Sequence, residues 1–100
     1  MSILKLSYSL EELKTITNNL IEYINKNVKD KIKVELRTDK RYLYDNEVPV
    51  LFYELYVNNV YLCSDKDLTI IKERVYGISQ FVACIVESER RAGDKPNVKQ

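Results

Sequence analysis

The side chains of this chain that are able to do chemistry are carboxylates, thiols, phenols and cationic groups; histidine is absent. Its absence removes the commonest general base and the commonest metal ligand. No Cys–His or Ser–His–Asp nucleophile can be built from this chain alone. Paired acids stand at Glu11–Glu12, Asp65/Asp67 and Glu87/Glu89, but paired acids near helix ends serve as caps or as solvated charges. Asp65-x-Asp67 opens like a calcium loop and then lacks the later glycine and the closing glutamate. Gly77 and Gly93 stand alone, so no glycine-rich phosphate loop is present. Cys63 and Cys84 form no C-x-x-C pair, which points to neither a disulfide framework nor a zinc site. Cys63 is expected on the outer face of a sheet, as a reactive thiol or a small hydrophobe, and Cys84 as an inert residue of an apolar helix. These residues predict a non-enzymatic protein with no cofactor and no metal.

The other candidate functional groups are recognition groups. In LFYELYVNNVYLCS, Leu51 to Ser64, bulky side chains fall on both faces of a predicted hairpin. If Asn58-Asn59 is the loop, Val57 faces Val60, Tyr56 faces Tyr61 and Leu55 faces Leu62. One face then carries Leu51, Tyr53, Leu55, Val57, Val60 and Leu62; the other carries Phe52, Glu54, Tyr56, Tyr61 and Cys63. An unpaired carboxylate is costly to bury, so Glu54 marks its own face as the outer one. Phe52, Glu54, Tyr56 and Tyr61 are thus candidate partner-binding residues. Tyr and Phe are enriched at protein interfaces. They also stack on single-stranded bases, with Lys31, Lys33, Arg37, Lys40 and Arg41 as candidate phosphate contacts. Cross-strand aromatic pairing that only stabilises the hairpin is the plain alternative.

The elements that position these groups are read from periodicity. Ser9 and Glu12 have capping-box spacing, and Tyr8 with Leu13 has that of a hydrophobic staple. Leu10, Leu13, Ile16, Leu20, Ile24 and Val28 then form one stripe of a helix over about 10–28. In KIKVELRT, Ile32, Val34 and Leu36 alternate with Lys31, Lys33, Glu35 and Arg37, a half-buried strand with the cationic residues outside. DKRYLYDNE extends that strand, starts another or forms a loop with aromatic anchors. Pro49 marks the start of the next strand. Ser64 or Asp65 caps a long second helix, with Asp67 in its first turn. Its seam is Leu68, Ile71, Val75, Ile78, Val82 and Ile85. Tyr76, Phe81, Ala83, Cys84 and Val86 lie off that seam, and Gly77 sits inside the helix, where something packs closely or the helix bends. Tyr76, Gly77, Phe81 and Val86 are therefore candidate dimer-helix residues, covered by the first helix or by a second copy. Gly93 is the expected C-terminal cap.

The predicted fold class is α+β, a small antiparallel three-stranded sheet packed against two helices in the order α-β-β-β-α. Residues 1–8 are open as a fourth strand or an arm. Residues 1–92 form a single domain, and 93–100 a flexible tail. The chain has 100 residues, is 45% hydrophobic and 31% charged, and carries a net +1, which gives no general pull toward nucleic acid or an acidic membrane. Locally the charge is uneven: +4 over Lys26–Arg41 and −4 over Asp45–Asp67. No signal pattern follows Met1 and no apolar run reaches ~18 residues, so a cytoplasmic protein without a membrane span is expected. A short chain rich in Lys, Asn, Ile and Tyr is similar in composition to small accessory proteins of phages and mobile elements of AT-rich bacteria, inhibitors of host defence nucleases among them. That likeness implies a module that works by covering a target surface. The expectations are a protein-binding homodimer or, second, a small dimeric nucleic-acid-binding or transcription-associated protein using segment 26–41.

Overall fold

The computed structural model describes residues 8–28, 30–43 and 48–94. Within them the order is α1 (Leu10–Asn27), β1 (Val34–Arg41), β2 (Val50–Val57), β3 (Val60–Asp65) and α2 (Leu68–Asp94). The three strands form one antiparallel sheet in the order β1-β2-β3. Both helices lie on the same side of it, and the α+β class holds. The proposed N-terminal strand lies almost wholly outside the described residues, as does Tyr44.

The capping box opens α1: the Glu12 carboxylate accepts from the Ser9 N–H at 2.8 Å, and the Ser9 hydroxyl accepts from the Glu12 N–H at 3.2 Å. A cap of this kind contributes about 1 kcal/mol. Leu13, Ile24 and Val28 are buried along the predicted stripe, while Leu10 stays exposed. Thr17, which the apolar spacing passes over, is fully buried. Its hydroxyl donates to the Leu13 carbonyl at 2.6 Å, so burial leaves no orphaned polar atom.

β1 starts later and ends later than the alternation predicts. Lys31 and Ile32 donate their N–H groups to the Val28 carbonyl, both at 2.8 Å, which keeps them in the turn that ends α1. The Asn58 side chain then grips this segment, accepting from the Lys33 N–H at 2.7 Å and donating to the Lys31 carbonyl at 3.1 Å. Lys31 and Lys33 therefore sit before the strand, although the charge of Lys33 still acts on Glu35. At the far end the ladder continues through Asp39, Lys40 and Arg41, so DKR extends β1. The Asn25 amide pairs with both backbone groups of Val34, at 2.9 and 2.7 Å, and occupies the free edge where β1 begins.

Asn58 and Asn59 both have positive φ, 52° and 66°, the left-handed pair a two-residue hairpin requires. Val57 faces Val60 and Tyr56 faces Tyr61 as predicted, but Leu55 faces Cys63. Leu62 is the extra residue of a β-bulge. This corrects the assignment of faces: Leu62 is 52% exposed instead of lying opposite Leu55, and Cys63 turns inward to pack on the core. Ser64 and Asp65 remain in β3, so neither caps α2. Asp67 does, accepting the Thr69 N–H at 2.9 Å, while Asp65 accepts the Asp67 N–H at 2.8 Å.

Leu68, Ile71, Val75 and Val82 of the α2 seam are buried, with Ile78 and Ile85 half-buried. They meet Leu13, Ile24 and Val28 of α1 and Val34, Tyr53 and Leu55 of the sheet in one core. The helix passes through Gly93, which has no positive φ and is not a left-handed cap, to Asp94. The described residues stop there, so most of the tail read at 93–100 lies outside them.

Candidate functional site

The helices cover one side of the sheet, and the opposite side has no second layer among the described residues. Strand alternation places Glu35, Arg37, Asp39 and Arg41 on that outer side, opposite Tyr56, Glu54, Phe52 and Val50. The side chains lock together. The Arg37 guanidinium lies 3.8 Å from the centre of the Tyr56 ring and donates to Glu35 and to the Asn59 side-chain oxygen, both at 3.1 Å. Arg41 lies 4.3 Å from the centre of the Phe52 ring and donates to Glu54 at 2.6 Å and Asp39 at 3.2 Å. Tyr61 meets Tyr56 edge-on, with ring centres 5.8 Å apart, and its hydroxyl lies 2.8 Å from that of Ser64.

This arrangement explains the bulky side chains on the outer face. A guanidinium stacks on an aromatic face and forks to a carboxylate at the same time. Two arginines therefore cover two rings and neutralise the acids between them. Glu54 is on the outer face, as its charge required, yet its side chain is only 14% exposed because Arg41 and its neighbours enclose it. The hydrogen bond from Arg37 holds the Glu35 carboxyl below its ordinary value, and Glu54 and then Asp39 raise the Arg41 guanidinium. Two guanidiniums bridge the three carboxylates Glu35, Asp39 and Glu54, and the charge of Lys33 also acts on Glu35.

The five basic residues proposed for phosphate contact are not brought together. Arg37 and Arg41 are engaged in this lattice. Lys40 occupies an inner-side position opposite Leu51 and is exposed. Lys31, in the turn after α1, lies 3.9 Å from Glu89 of α2, and Lys33 follows it before the strand. Sequence reasoning missed Glu35, Asp39 and the pairing of Arg41 with Glu54. The signal was present as E-x-R-x-D-x-R over residues 35–41, charges alternating at the period of a strand face.

No protein-family model, no curated protein and no solved structure matches this chain. The functional reading therefore rests on geometry alone. Among the described residues, no cluster of acids and cysteines is arranged to hold a metal ion, and no helix is long and apolar enough to cross a membrane.

The four candidate dimer-helix residues divide. Val86 packs against the core and is not part of an outward surface. Tyr76 and Phe81 are exposed, at 49% and 63%. One residue advances a helix by about 100°, so Tyr76 looks out on a different flank from Gly77. A Cβ at Gly77 would meet nothing within 4 Å, and the helix runs unbroken through it. No contact inside the chain needs the glycine, although it costs the helix roughly 1 kcal/mol against alanine. An open groove beside it is lined by Ile32, Val57, Leu62, Ile78 and Phe81, with Glu73 and Arg74 at its rim. The two thiols exchange roles. The bulge packs Cys63 on the core, whereas Cys84 is exposed on α2.

Proposed function

We propose that this protein is a non-enzymatic protein-binding module and that the outer sheet face is its contact surface. The observation that carries the reading is the lattice of Arg37, Arg41, Phe52, Glu54, Tyr56 and Tyr61 on a sheet face that no helix among the described residues covers. Arg and Tyr supply much of the energy of protein interfaces. Here hydrogen bonds and stacking already hold them in place, so docking costs little side-chain entropy. Their charges are paired within the chain, so a partner covering the face does not strand an ion. Tyr61, 52% exposed at the margin of the lattice, offers the most open ring. Such a module acts by covering a surface of its target in the cytoplasm, the mode implied by its compositional likeness to accessory proteins of mobile elements and inhibitors of host nucleases.

A nucleic-acid partner fits this face less well. Both arginines give donors to carboxylates, and the stacked faces of Phe52 and Tyr56 are capped.

The test is affinity capture from the native host with wild type, a Tyr56→Ala/Tyr61→Ala variant and a Lys66→Ala control. One stoichiometric protein partner retained by wild type and control, and lost by the tyrosine variant, is expected, with little weakening as salt rises. Binding of nucleic acid that falls steeply with salt and survives the tyrosine changes contradicts the reading.

A further inference from the structure

A second surface, on the other side of the molecule, makes a different demand. Gly77 weakens its own helix, and among the described residues nothing lies within 4 Å of where its Cβ would be. Four residues later on the same helix, Phe81 projects a ring that is 63% exposed. Positions four apart lie on one helix face. Leu62, pushed outward by the bulge, carries the apolar lining of the groove onto the sheet, where Ile32 and Val57 join it.

We propose that a second copy of this chain covers this surface. The two α2 helices pack antiparallel across a two-fold axis level with Ser79, and each Phe81 enters the groove over the other copy's Gly77. A socket and a knob on one helix satisfy each other only when the helices of two copies run antiparallel. In parallel packing Phe81 would face Phe81, Gly77 would face Gly77, and the space would stay empty. An isologous interface of this form closes at two chains. Charge permits it: Glu73 and Arg74 at the rim cancel, so the groove does not repel its own copy. Area supports it. Phe81 alone leaves roughly 100–150 Å² open, and with Leu62, Ile32, Val57 and Ile78 of the same groove the patch reaches the size of a few hundred Å² that marks interaction surfaces. Two such patches supply about half of the ~1,600 Å² buried in a stable interface, close to the apolar share such interfaces carry.

The test is sedimentation equilibrium of the full chain from low micromolar to millimolar concentration, with circular dichroism to verify folding. Wild type is expected to dimerise. Phe81→Ala, a change at an exposed position that leaves the monomer folded, is expected to weaken the dimer by about 30-fold or more. Gly77→Ala carries opposite signs in the two states. It raises the melting temperature of the dilute monomer by about 4–8 °C, and it weakens the dimer because the added methyl occupies the socket. Tyr61→Ala, on the outer sheet face, leaves the dimer intact. A wild type that stays monomeric at millimolar concentration overturns the proposal. So does a dimer indifferent to Phe81→Ala, a Gly77→Ala variant that gains stability without losing association, or a dimer broken by Tyr61→Ala. A groove filled only by a different protein overturns it as well.

Discussion

On the outer sheet face, Arg37 and Arg41 each cover a ring and each hold two hydrogen-bond acceptors. On the outward stripe of α2, Phe81 fronts an apolar groove with room for a side chain over Gly77 among the described residues. The first surface is rich in charge, and charge can be satisfied within one chain by directional bonds between neighbours on a pleat. The second is rich in hydrocarbon, and exposed hydrocarbon is satisfied only by more hydrocarbon. A face can therefore be uncovered and complete, or uncovered and waiting for cover. Fractional exposure alone does not separate the two; the hydrogen-bond partners do.

Substitutions that separate neighbouring residues sharpen this contrast. Leu55 is fully buried, whereas Tyr56, the next residue, looks outward. Leu55→Ala is expected to cost about 2–5 kcal/mol, read as a fall in the urea midpoint, and Tyr56→Ala distinctly less. Equal losses would contradict the assignment of faces. Arg41→Ala comes next, because it leaves the enclosed Glu54 carboxylate without its 2.6 Å partner. Adding Glu54→Gln in that background should restore part of the lost stability; a double-mutant cycle with no coupling would break the lattice description. Gly77→Ala should stabilise the monomer by roughly 1 kcal/mol, a gain that no contact within the chain opposes. Tyr61→Ala removes one edge-on aromatic pair and should cost ~0.2–1 kcal/mol.

The smallest effect is on acid stability. Arg37 holds the Glu35 carboxyl below its ordinary value of 4.5, and Arg90 and Arg91 do the same for Glu87. The unfolded chain therefore binds protons at these groups more readily than the folded one. Their contribution is complete above about pH 4.5 and declines as pH falls through the lowered values. With no histidine to titrate, the melting temperature should stay nearly flat from about pH 5.5 to 7.5, and Glu35→Gln should blunt the fall below it. A fall centred near pH 6.5 would contradict this account.

The elements themselves were legible because their signals are local. Ser9 and Glu12 announce α1, two asparagines announce the hairpin, and the α2 seam announces its buried side. What failed was decided by neighbours distant in sequence. Lys31 and Lys33 alternate like strand residues, but the Val28 carbonyl holds Lys31 in a turn and Lys33 bonds to Asn58 just before the strand begins. The bulge at Leu62 reverses the expected places of Leu62 and Cys63, and period-two reasoning contains nothing that foresees an inserted residue. The aromatic cluster was legible as a set; its covering by Arg37 and Arg41 depended on a strand reaching Arg41.

Concentration-dependent amide NMR compares both surfaces in one sample. The account predicts that from low micromolar to millimolar protein, resonances of Gly77, Phe81 and Leu62 shift together while those of Arg37, Phe52 and Tyr56 hold still. Shifts confined to the outer sheet face, or none at either surface, would contradict it.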